Sequence, residues 1–203
     1  MKRETIQITT PEGLKLQVPA HVVASTFIAA ALAQIGVPQQ VQSQEPASGA
    51  EIPALGEYWP GQGGHNAGFV PARDGVPAHY LIIAAKDVGD HKWGRYDEES
   101  TATSKTDGFA NTQALMKEGE HPAALAASKY EADGHSDFYL PAAAELYQCW
   151  LYTQNLFAKD CWYWSSTQRS ADRAFYMHFG GGSQYGYDKG YELRVRPVRR
   201  HFI

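Results

Sequence analysis

Two thiols, a scatter of histidines and a few closely spaced carboxylates are the groups in this chain that could carry chemistry. Cys149 and Cys161 are the only cysteines, no CxxC occurs, and two thiols alone cannot build a structural zinc site. Cys149 falls in a helical pattern and Cys161 at a strand start. They read as two half-buried free thiols, with pairing in an oxidising compartment as the alternative. His121, His135, His178 and His201 form no HxxxH or HxH pair, and "DGHSD" at 133–137 lacks the spacing of a calcium loop. No metal and no cofactor are therefore expected. His121, before a proline, and His135, in a turn, read as surface or capping residues. Asp133, Asp137 and Glu145 make no defensible catalytic dyad, because Asp137, just before Pro141, is placed to satisfy turn or helix-start amides. No GxSxG, P-loop or dinucleotide fingerprint is present. "GGGS" at 180–183 follows one strand and precedes another, so it reads as a hairpin turn and not a phosphate loop. "GQGGHNAG" at 61–68 reads as a loop with close backbone packing. The expectation is a protein that is not an enzyme.

The densest chemistry is aromatic. From Trp162 to Arg200 the chain runs "WYWSSTQRSADRAFYMHFGGGSQYGYDKGYELRVRPVRR". In "AFYMHF" the period of two sends Phe175, Met177 and Phe179 to one face, and Tyr176 and His178 to the other. If the first set is core, the second is displayed. In "LRVRPV", Leu193 and Val195 point inward while Arg194 and Arg196 point outward. Between these strands Tyr185, Tyr187, Lys189 and Tyr191 stand among flexible glycines. Tyrosines beside Gly, Ser and a few charges suit recognition: large amphipathic rings at low entropic cost on an adaptable backbone. The competing reading is that they only lid a small core.

The rest of the chain must position this stretch. With 203 residues, the length fits one ordinary domain plus a smaller module. A net charge of −4 argues against nucleic acid as the main partner. The abundance of Gly, Tyr and Trp favours a loop-rich β or α+β domain over a helical bundle. Residues 5–9 and 14–18 alternate apolar and polar around "PEG", a small β-hairpin. Residues 20–36 read as a helix stopped by Gly36, apolar over much of its circumference through Val23, Phe27, Ile28 and Leu32. Such a helix docks either on another chain or on its own C-terminal domain. Residues 37–54, rich in Pro, Gln and Ser, read as a linker, giving three parts: 1–36, 37–54 and 55–203. In the last, 79–85 reads as a buried strand, and 107–119, 122–133 and 141–154 as helices. Residues 162–167, 174–179 and 191–198 read as strands. Helices followed by antiparallel strands make an α+β domain. The polar start is a poor signal peptide, and Val22–Ala33 is too short to span a bilayer, so a soluble protein made in the cytosol is expected.

Three motifs in order, "GHSDFYLPAAAEL" (134–146), "WYWSSTQ" (162–168) and "RVRPVRR" (194–200), resemble G-x-x-D-W-x-L-P-x-x-x-E-L, Y-W-S-S-T and V-R-P-V-R. That order marks a domain of C-type-lectin-like fold found at the C-terminus of a bacterial collagen-like adhesin and in many phage and prophage proteins. The resemblance extends over about residues 56–203. It implies an antiparallel sheet supporting long loops, and a phage virion protein of the tail tip, fibre or baseplate that binds a host-surface glycan or protein. On that analogy the displayed residues are Gln168, Arg169, Tyr176, His178, Tyr185, Tyr187 and Lys189. Trp162, Trp164, Leu140, Pro141, Val195 and Pro197 fall on motif positions that imply scaffold. Phe138 and Tyr139 depart from the pattern, which has Trp-Arg there. No Glu-Pro-Asn, Gln-Pro-Asp or Trp-Asn-Asp sugar motif appears, so calcium-dependent sugar binding is not implied. Residues 1–36 would attach to other virion proteins or form a homo-oligomer, a trimer being one form. The alternatives are a purely structural virion component and, through a related fold, an oxidase like the formylglycine-generating enzymes.

Overall fold

The computed structural model describes residues 5–9, 15–19 and 52–203. The chain divides into two units, Met1–Glu51 and Ile52–Ile203. In the first, β1 (Thr5–Thr9) pairs antiparallel with β2 (Lys15–Pro19), Ile6 opposite Val18 and Ile8 opposite Leu16. The helix expected at 20–36, with Val23, Phe27, Ile28 and Leu32, lies outside the described residues, as does the linker up to Glu51.

The second unit is α+β. Its strands are β3 (Tyr58–Trp59), β4 (Gly64–Val70), β5 (His79–Ala84), β6 (Asp90–Lys92), β7 (Trp162–Gln168), β8 (Arg173–His178), β9 (Ser183–Asp188), β10 (Glu192–Arg194) and β11 (Val198–Phe202). Its helices are α1 (Gly108–Glu118), α2 (Pro122–Ser128) and α3 (Ala143–Thr153). A four-stranded antiparallel sheet runs β11-β5-β4-β3. A five-stranded sheet runs β6-β10-β7-β8-β9, antiparallel except between β10 and β7. No helix among the described residues is long and apolar enough to cross a membrane.

Each sheet has a reason to hold its shape. Leu81, Ile83 and Val198 of the four-stranded sheet meet Tyr163, Met177 and Phe179 in one buried cluster, joined by Leu146 and Cys149 of α3. A second cluster sets Trp164, Ala174 and Leu193 of the five-stranded sheet against Trp93, Leu115 of α1 and Ala123, Ala124 and Ala127 of α2. The alanines keep α2 close to this cluster. The two tryptophans are fixed by their polar ends: Trp93 Nε1 donates to the Ser165 carbonyl and Trp164 Nε1 to that of His91, each at 2.9 Å. A buried indole N–H needs such a partner.

Three segments differ from the sequence reading. "GQGGHNAG" is largely strand: β4 crosses β5 so closely that a Cβ on Gly64 would lie 2.0 Å from the Ile83 carbonyl oxygen. Only glycine admits that approach. The closing strand at 191–198 is two strands in different sheets, because Pro197 offers no N–H to continue the first ladder. The helix from Pro122 stops at Ser128; Tyr130 then turns inward against Phe138, and Asp133 and Gly134, both at positive φ, reverse the chain.

Candidate functional site

Strand register assembles an aromatic face. In β7, β8 and β9, Trp162 lies opposite His178 and His178 opposite Ser183; Trp164 lies opposite Tyr176 and Tyr176 opposite Tyr185; Ala174 lies opposite Tyr187. Directly opposed residues share a face of the sheet. Tyr163 and Met177, one step out of phase, take the other face and are wholly buried. Trp164 and Ala174 are also buried, so they form a floor. Around that floor Trp162, Tyr176 and Tyr187 stand as a triangle, with ring centroids 5.9, 5.6 and 5.9 Å apart, and Tyr191 extends it 5.2 Å from Tyr187. Trp162 is 42% exposed and Tyr191 58%, while Tyr176 and Tyr187 are half-buried. Mutual edge and tilted packing holds the rings in place, so little side-chain entropy remains to be lost on binding.

The structure sorts the seven residues expected on display. Tyr176, His178, Tyr185 and Tyr187 lie on the face described, with Tyr185 56% exposed on the edge strand. His178 is half-buried beside the Gly180–Gly182 turn. Arg169 is exposed in the β7–β8 turn, its guanidinium 4.3 Å above the Tyr185 ring. Gln168 and Lys189 are not displayed. Lys189 is fully buried: its ammonium donates to the Glu98 carbonyl and to Gln168 Oε1, both at 2.7 Å, and sits 4.8 Å from the Trp93 ring. Burial lowers its pKa. Gln168, 7% exposed, also accepts from Ser100 N at 2.7 Å. Together they tie the loop at 98–100 to the end of β7. Trp162, expected in the scaffold, is instead part of the display. Its parity matches Trp164, but it stands at the start of β7, beyond the cover that buries Trp164. Tyr191, set among glycines in the sequence, joins it.

Other expectations resolve into framework. Arg196 is buried, not outward, and donates to Asp87 Oδ1 at 2.8 Å and the Leu156 carbonyl at 2.7 Å. Asp137 pairs with Arg199 at 2.7 Å instead of capping a helix. Asp133 accepts from Gly61 N, Gly63 N and Tyr58 Oη. Glu145 is buried and accepts from Ala142 N (2.8 Å), Gly108 N (3.2 Å) and Tyr139 Oη (2.8 Å), with Arg200 at 3.4 Å. It closes the start of α3 and joins it to that of α1. His121 is buried, not on the surface: Nδ1–H donates to the Trp93 carbonyl at 3.0 Å. Cys149 and Cys161 are both free, and burial pushes both thiols up, Cys149 most strongly. A raised pKa makes a poor thiolate nucleophile. Among the described residues no group of His, Cys, Asp or Glu is placed to hold a metal.

No protein-family model matches the chain, and no curated protein matches it. The face must be judged on its own chemistry. It offers π surfaces and phenol hydroxyls over a stiff floor, a combination suited to binding a ligand with apolar faces and hydroxyl edges.

Proposed function

We propose that residues 52–203 are a carbohydrate-recognition domain of C-type-lectin-like fold in a phage or prophage virion protein, and that the face of Trp162, Tyr176, Tyr187 and Tyr191 engages a host-surface glycan. The contiguous run of four rings over a buried floor carries this reading. Sugars present C–H faces that stack on aromatic rings, with hydroxyls left to hydrogen bond at the rim, here to the tyrosine Oη atoms and His178. The three-motif resemblance supports the virion context, with attachment through residues 1–36. A glycan array and a cell-adsorption assay with the full chain test it. Trp162→Ala and Tyr187→Ala should each weaken binding about tenfold or more, the loss typical of a central aromatic contact, with the melting temperature held as a check on folding. Undiminished binding by both variants would remove this face from consideration.

A second reading has its own observation. Leu55 and Tyr152 converge on Gly68 and are about half exposed, as are Phe69 and Leu151. Exposed apolar clusters mark protein contacts, which suits a structural component that touches only other virion proteins. Particles carrying Trp162→Ala that adsorb normally, while Leu151→Asp blocks incorporation, would favour it.

A further inference from the structure

We infer that Lys189 and Gln168 form an autocatalytic isopeptide bond, made by transfer of the Gln168 acyl group to the lysine amine. The inference stands whatever the aromatic face binds.

The Gln168 carboxamide is held at both ends. Its Oε1 accepts from Ser100 N and Lys189 Nζ, each at 2.7 Å. Its Nε2 donates to Glu99 Oε2 at 2.5 Å and to the Ser100 carbonyl at 3.2 Å. These partners fix the orientation of the amide, because a flipped group would set its NH2 against two donors. The carboxamide carbon, one C=O bond beyond Oε1, is at most about 4 Å from Nζ. The backbones are pinned as well. Gln168 N donates to the Ala102 carbonyl, Lys189 N donates to that of Asp172, and the Lys189 carbonyl accepts from Gly94 N. Amine and acyl carbon are thus oriented in advance, which removes much of the entropic cost of bringing them together.

The groups that an acyl transfer needs surround the pair. An amine attacks only in its neutral form, and burial of Lys189 favours that form against the opposing pull of Glu99, Glu118, Asp172 and Glu98. Neutral Nζ bonds to Gln168 Cδ as the carbonyl electron pair moves onto Oε1, where the Ser100 N–H stabilises the developing charge. The electron pair then returns, the Cδ–Nε2 bond breaks, and Nε2 departs as ammonia. The proton it needs leaves Nζ and reaches Nε2 through the Glu99 carboxylate, already hydrogen-bonded to that nitrogen. An amine and a primary amide become a secondary amide and ammonia, with no oxidant, metal or second substrate. The buried Trp93 ring, 4.8 Å from Nζ, keeps water from competing for the acyl carbon. Lys189 and Gln168 lie 21 positions apart, and the segment between them carries β8 and β9. The bond closes the hairpin that displays Tyr176, Tyr185 and Tyr187 into a covalent ring. It forms only after folding assembles the site, so the freshly folded chain holds the pair by hydrogen bonds alone.

Intact-mass spectrometry of the full chain, kept folded for several days and then denatured, tests this. The expected product is lighter than the sequence mass by one ammonia, and its digest contains a branched peptide joining Gln168 to Lys189. Lys189→Arg keeps a cation in place without a reactive amine and should retain the full mass. Glu99→Gln, at an exposed position, should fold like the parent and form the bond about a hundredfold more slowly. A parent chain that retains its full mass overturns the inference. So does an ammonia loss that persists in Lys189→Arg, as a succinimide at an asparagine would, or a Glu99→Gln protein that cross-links at the parental rate.

Discussion

Lys189 separates display from framework most sharply, because its sequence context advertises a surface lysine while the fold buries it. Replacing it with alanine removes three methylenes packed beside Trp93, worth about 2 kcal/mol at about 0.8 kcal/mol each. It also leaves the Glu98 carbonyl without its 2.7 Å donor and takes one of two donors from Gln168 Oε1. An orphaned buried acceptor costs about 1–3 kcal/mol. Relief of burying an ammonium offsets part of the total, so a net loss of about 3 kcal/mol is expected. For a chain of this size that is a fall in melting temperature of roughly 6–12 °C. Lys189→Met keeps most of the stem and should lose about half as much. Urea denaturation measures both, and glycan binding at low temperature, well below the transition, should stay within about twofold of the parent. A Lys189→Ala protein of parental stability that no longer binds ligand would refute the burial argument and return the lysine to the binding face.

Three further outcomes follow from the framework. Glu145→Ala should destabilise by about 3–5 kcal/mol in urea titration, because it strands the Ala142 and Gly108 amides and deprives buried Arg200 of one partner; a loss below about 1 kcal/mol would mean the cluster is not closed in solution. Burial lowers the pKa of both His79 and His121, despite Glu118 beside His121, with Arg95 and Lys189 acting in the same direction as burial there. The unfolded chain then binds more protons than the folded one as the pH falls from about 7 to 5, so stability should drop over that range, and His121→Asn should flatten the slope. Gly64→Ala should cost up to about 3 kcal/mol, since its Cβ meets the Ile83 backbone oxygen and not a side chain that can step aside; near-parental stability in thermal melts would argue against so close a strand crossing.

What the sequence made legible was local. Period-two alternation placed Phe175, Met177, Tyr176 and His178 on their proper faces, the glycine run marked the β8–β9 turn, and prolines marked the approaches to α2 and α3. What stayed hidden depends on partners far along the chain. Lys189 is drawn inward by acceptors at Glu98 and Gln168, and Arg196, Arg199 and Arg200 are buried because Asp87, Asp137, Asp107 and Glu145 reach them from distant segments. Nothing in "VRPVRR" announces those pairings. β4 was masked because the glycine that permits its close crossing also carries the composition of a loop. Trp162 has the parity of Trp164, and only the extent of cover above the sheet, a tertiary property, leaves one exposed and the other buried.

The same division explains how this face can be altered without unfolding the sheet. The residues that hold the five-stranded sheet, Trp93, Trp164, Tyr163, Met177 and the Gln168–Lys189 pair, make their hydrogen bonds and core contacts beneath the display or on the opposite face. Tyr185 and Tyr191 are more than half exposed and make no such bonds to the core. Exposed positions away from buried networks usually change stability by no more than about 0.5 kcal/mol. Substitutions at Tyr185 and Tyr191 should therefore alter the shape and polarity of the face while leaving the sheet intact. Trp162, Tyr176 and Tyr187 are different, since each leans on the other two and a change in one loosens both neighbours. A ligand preference built on this face would be retuned first at its margins, at 185 and 191, with the central triangle kept as the common stacking surface.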